Sequence, residues 1–137
     1  MTPTESTARR ALVGIRVVVA VLLVVHGVAR VYLGIVDDFG LFLDSVGFPF
    51  GAGIAWGVTL YEIIGGLALA AGAFARPISI VFALQLTAGI ALVHWSEGWF
   101  VVGAGRNGME YSALLIACLV AVAYAEGGET VPASPQD

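Results

Sequence analysis

Four successive stretches of about twenty mostly apolar residues decide what this chain can fold into. A helix rising about 1.5 Å per residue needs about that length to cross a hydrocarbon core about 30 Å thick. The stretches run from roughly Ala11 to Leu33, from roughly Ala52 to Phe74, from Pro77 to near Trp95, and from roughly Gly108 to Ala125. None alternates apolar and polar residues as a barrel strand would. The pattern predicts an all-α, polytopic membrane protein built as a bundle of four transmembrane helices. Composition supports this. Of 137 residues, 59% are hydrophobic and 12% charged, lysine is absent and the formal net charge is −4. Such a chain is neither an ordinary soluble domain nor a nucleic-acid binder. Arg9 and Arg10 ahead of Val17–Val25 resemble the start of a signal peptide, but His26 and Arg30 stand where a small-residue cleavage site should follow. The first segment is therefore read as a retained helix. The transmembrane domain is expected over residues 9–126, between disordered tails at 1–8 and 127–137, the second one acidic.

Orientation follows the arginines in short flanks and loops. Arg9 and Arg10 precede the first span and Arg76 lies between the second and third, whereas the first loop carries Asp37, Asp38 and Asp44 and no basic residue. Arg106 and Glu97 offset each other in the last loop. Both termini are expected in the cytoplasm. In the first outer loop, Phe39, Phe42, Leu43 and Val46 recur at helical spacing, with Asp38 placed to cap the start, Gly47 to close the end and Pro49 following. That predicts a short amphipathic helix in the membrane interface. Trp95, Trp99 and Phe100 in the other outer loop suit an aromatic belt.

Charged side chains inside apolar spans are costly, about 2.5–3.5 kcal/mol each on the insertion scale, so they need partners or a wet cavity. Here they are Arg16, His26, Arg30, Glu62, His94 and Glu110, with Gln85 as a neutral companion. Counting residues from each helix end places His26, Arg30, Glu62, His94 and Glu110 in the outer half, and Arg16 near the inner interface, where it can snorkel. The expectation is one polar pocket. Glu62 and His26 are its proton-handling candidates, and Arg30, His94 and Glu110 its substrate-binding candidates, with Arg106 a further cation. The competing reading is structural: ion pairs as glue between helices. Gln85 reads as an interhelical hydrogen bond, and the small residues Gly65, Gly66, Ala70 and Gly72 as a packing face.

Several other chemistries are set aside. Gly103–Gly108 fits G-x-G-x-x-G, but it follows no strand and lies between spans. Gly65 and Ala113 stand three residues after Glu62 and Glu110, where a di-iron bundle would need histidines. His26 and His94 as paired haem ligands are disfavoured, since both have carboxylate and guanidinium partners at hand. Cys118 falls near mid-membrane, where a thiol stays protonated and inert. No metal site is expected.

The runs VVHGVARVYLG, GFPFGAGIAW, YEIIGGLALAAGAFARP, HWSEGWF and MEYSALL resemble the DoxX family of small four-helix membrane proteins. The resemblance spans roughly Arg9 to Glu126 and rests on an ordered set: Arg16, His26, Gly27, Pro49, Glu62, Gly65, Gly66, Arg76, Pro77, His94, Gly98, Phe100, Glu110 and Tyr111. Arg30 stands where members often have lysine, and GFPFGAG lacks a second proline that many carry. The resemblance implies a prokaryotic plasma-membrane protein tied to redox systems: quinone-reducing sulfur oxidation, terminal-oxidase subunits or oxidative-stress complexes. No cofactor is fixed by the resemblance, a quinone being the one it suggests, and a membrane or soluble redox protein, or a second copy of the chain, is the expected partner. The alternative is a non-enzymatic scaffold or assembly factor. Transport is disfavoured, because the inner half offers no matching set of polar residues to continue a path.

Overall fold

The structure, a computed structural model, describes residues 3–102 and 107–127. These form five α-helices: α1 (Pro3–Tyr32), α2 (Val36–Ser45), α3 (Gly51–Ala71), α4 (Ala75–Gly89) and α5 (Glu110–Gly127). A π-helical turn, Ile90–His94, and a 3₁₀ turn, Trp95–Glu97, prolong α4. Among the described residues there is no strand. Four helical segments are long and apolar enough to cross a membrane: Thr4–Tyr32, Gly51–Ala71, Ala75–Glu97 and Glu110–Gly127. The expected all-α, four-span architecture is what the chain adopts. It divides into two compact units, Val17–Ala73 and Met1–Arg16 with Phe74–Asp137.

In the first unit, α1 and α3 run antiparallel and touch where side chains are missing. A Cβ on Gly27 would lie 2.9 Å from Ile63 Cγ1 and 3.0 Å from the Thr59 carbonyl oxygen, and one on Gly66 would lie 2.6 Å from Val24 Cγ2. Bare backbone at both positions lets the helices close on each other, which is how small residues drive association in lipid. Gly66 therefore does the packing expected of it. Gly65 instead lies against Tyr61 of its own helix.

Backbone geometry fixes both ends of α2. Gly34 (φ 70°) and Gly47 (φ 94°) adopt the left-handed conformation that follows a helix end. At each, paired bonds reach back to the last turn: Gly34 N–H to Val31 O and Ile35 N–H to Arg30 O, then Gly47 N–H to Asp44 O and Phe48 N–H to Leu43 O. Gly47 closes α2 as the sequence predicts. Asp38 does not cap it. The turn out of α1 runs directly into α2, which begins at Val36, so Asp37 and Asp38 fall inside its first turn, where negative charge suits the helix dipole. The buried stripe is Val36, Gly40 and Leu43, with Phe39 and Phe42 half-buried beside it and Val46 exposed beyond the helix end. This stripe packs on α3, against Ala55 and Ile54. The Asp44 carboxylate meanwhile accepts the Gly51 N–H at 2.8 Å, holding one free donor at the start of α3.

In the second unit, α4 packs on α5. Ala75, Ser79 and Phe82 are buried on α4, and Ser112, Leu115, Leu119 and Val122 on α5, each set recurring at helical spacing. Pro77 sits in the first turn of α4, where its missing N–H would find no intrahelical partner in any case. Arg16 donates from Nη1 to Glu126 Oε1 at 2.8 Å. Glu126, expected at the edge of an acidic tail, lies in the last turn of α5. An ion pair at the helix end satisfies a cation that would otherwise have to reach for water. Residues 3–8, expected in a disordered tail, begin α1 instead. Pro3 stands in its first turn, where proline is tolerated, and Glu5 complements the dipole. The acidic tail from residue 128 on and Arg106 lie outside the described residues, as does most of the Gly103–Gly108 stretch.

Gly27→Ala should destabilise the protein by about 1–3 kcal/mol, since its methyl group meets Ile63 and the α3 backbone. Gly57→Ala, with open space around it, should be neutral or slightly stabilising. Thermal unfolding of both variants in detergent separates the two outcomes.

Candidate functional site

The close approach at Gly27 brings Arg30, one helical turn later, against α3. Arg30 Nη1 donates to Glu62 Oε2 at 3.0 Å and to Thr59 Oγ1 at 2.9 Å, and Nη2 donates to Glu62 Oε1 at 3.4 Å. Thr59 can accept this bond because its own hydroxyl proton goes to the Ala55 carbonyl at 2.7 Å. The guanidinium is held by a two-pronged carboxylate contact, the geometry that suits its planar fork. Phe39 of α2 covers it, with the Arg30 Cζ 4.9 Å from the ring centroid, within cation–π range. Side-chain exposure is 11% for Arg30 and 4% for Glu62, so the pair is nearly dry. A guanidinium has five N–H donors, and three serve these contacts. Among the described residues, no acceptor meets Nε–H or the second Nη2 hydrogen of Arg30.

His26 shares the α1 face of Arg30 one turn earlier, and it is exposed rather than enclosed. His94 and Glu110 belong to the second unit, where both tie the outer loop together. His94 sits at the end of the π-helical turn, and its Nδ1 is 2.7 Å from the Asn107 carbonyl oxygen. A carbonyl only accepts, so Nδ1 carries the proton and a neutral His94 keeps its lone pair on Nε2. Glu110, the first residue of α5, accepts the Val101 N–H at 2.8 Å. Backbone bonds from Gly108 to Phe100, from Met109 to Gly98 and from Glu110 to Trp99 complete the clip. A Cβ on Gly108 would collide with Phe100 and Trp99 backbone. Trp95, Trp99 and Phe100 are exposed. Of the five candidates, Arg30 and Glu62 are thus directly bonded, and His94 and Glu110 each hold loop backbone in the other unit. Among the described residues, no three His, Cys, Asp or Glu side chains are grouped to hold a metal ion.

The DoxX family model matches residues 11–95, well over half of the chain. The protein belongs to the DoxX family. The match takes in Arg16, His26, Arg30, Glu62 and His94 and stops at Trp95, so Glu110 and Tyr111 lie beyond the part that matches. No curated protein and no solved structure matches the chain.

Three participants in this DoxX site were not singled out from the sequence. Thr59 is one helical turn before Glu62, a spacing that puts both on one face of α3. The sequence marks Asp44 only as loop charge, and Phe39 only as part of an apolar stripe. Thr59→Val, which keeps the shape but removes the acceptor, should cost about 1.5–3 kcal/mol through the lost bond to a charged group. Chemical denaturation in detergent would read this loss, and unchanged stability would show that the Thr59 bond contributes nothing.

Proposed function

We propose that this DoxX family protein is a subunit or accessory of a membrane redox system, with Arg30 and Glu62 anchoring a quinone-like or small sulfur or thiol molecule. The observation that carries this reading is the unspent edge of the Arg30 guanidinium. Two N–H donors on an accessible edge beside a carboxylate suit a carbonyl or anionic oxygen. Ionisable residues inside membrane spans mark functional sites more often than not. Glu62, bonded to Arg30, and the exposed His26, one helical turn before Arg30 on α1, would exchange protons. Electrons would come from a redox protein partner, and the residues of this chain would bind, orient and move protons. His94 and Glu110 would hold the shape of the outer loop of the other unit. The arginines flanking the spans support a plasma-membrane orientation with both termini in the cytoplasm.

One observation favours a second reading, a scaffold or assembly factor: Arg30 and Glu62 largely satisfy each other, as structural pairs do. A short-chain quinone titrated into detergent-solubilised protein, followed by tryptophan quenching, separates the two. On the redox reading, Arg30→Gln and Glu62→Gln weaken binding at least tenfold, with His26→Gln as a milder case. Wild-type protein that binds no quinone, or variants that bind it equally well, would leave the scaffold reading.

A further inference from the structure

A separate cluster stands at the end of the second unit where α5 stops. Arg16 of α1 and Arg76 of α4 both reach the last turn of α5. Arg16 bonds Glu126 at 2.8 Å, and a Cβ on Gly127 would lie 3.1 Å from the Arg76 Cζ. Among the described residues, buried Arg16 Nε meets no acceptor, and the same holds for the Ser79 hydroxyl, one turn along α4 from Arg76. Arg76, Arg9 and Arg10 are exposed. Glu5 and Glu126 are the carboxylates of these helix ends among the described residues, so cations outnumber anions there.

Helix lengths set the depth of this cluster. The 18 residues of α5 rise about 27 Å, close to the thickness of the hydrocarbon core. The end of α5 therefore marks the edge of that core, and Arg16 lies level with it. Arg10 and Arg9, six and seven residues nearer the start of α1, stand roughly 9–11 Å further out along the axis, at the outer side of the headgroup layer. Arginine side chains are long enough to fold back from there to the phosphates.

We propose that this end of the protein binds the headgroup of an anionic phospholipid, with Arg76 as the principal contact and Arg9 and Arg10 as outer contacts. A phosphodiester offers only acceptors and matches the guanidinium fork. Basic residues at this depth favour a net-negative headgroup over a zwitterionic one. The Arg16–Glu126 pair holds the helix ends in register and is a positioning element, not a lipid contact.

Native mass spectrometry of the full chain, released from nanodiscs of phosphatidylcholine with phosphatidylglycerol, tests this. Wild-type protein should retain phosphatidylglycerol on the order of tenfold over phosphatidylcholine, and Arg10→Gln and Arg76→Gln should each lower that preference roughly fivefold. Unfolding in pure phosphatidylcholine should be the same for wild type and variants, which separates lost binding from lost folding. The proposal is overturned if the wild type shows no preference, if the folded double variant keeps it, or if millimolar inorganic phosphate displaces the lipid and so reveals a site for the free ion.

Discussion

The ion pair between Arg30 and Glu62 is the contact around which the first unit is arranged. Taking two charges out of water is expensive, and the cost is offset only where geometry and extra hydrogen bonds are both good. Each neighbouring feature supplies part of that requirement. Gly27 lets α1 approach α3 closely enough for Arg30 to reach Glu62. Thr59 turns its proton toward Ala55 and leaves an oxygen for the guanidinium. Phe39 covers the exposed side of the cation, and it can do so because glycine turns at both ends of α2 direct that short helix onto α3. Asp44, bonded to the start of α3, completes the same hairpin.

The second unit meets the same constraint with different residues. Arg16 is matched to Glu126 at the end of α5, and His94 and Glu110 spend one polar atom each on loop backbone. Two titratable side chains thus supply partners for loop backbone groups here. The π-helical turn before His94 widens the helix by one residue per turn and allows the chain to leave α4 without a break in bonding.

Much of this was legible in the sequence because lipid allows few solutions. Spans, their order and the short helix between the first two follow from apolar length and periodicity, and Gly47 announces the end of α2. Arg30 and Glu62 could be named as partners in outline because each is costly alone. Other features depend on register that one sequence does not state. The start of α2 at Val36 rather than beside Asp38 is set by the glycine turn out of α1. The pairing of Arg16 with Glu126 depends on how far α5 continues, and apolar length alone ended it at Ala125. Thr59 carries no signal of its own, since a hydroxyl in a membrane helix usually bonds its own backbone. Here it does that and also receives Arg30.

Family membership fixes what kind of protein this is, and the chemistry of the Arg30 edge is what gives the redox reading its content. That reading rests on the pair being a strong, specific contact. A double-mutant cycle on Arg30→Met and Glu62→Leu, read by reversible unfolding in detergent, measures that directly. Each single change should cost about 3–5 kcal/mol by stranding a buried charge, and the double variant should recover a coupling above about 2 kcal/mol. Additivity of the two changes within about 0.5 kcal/mol would contradict the account.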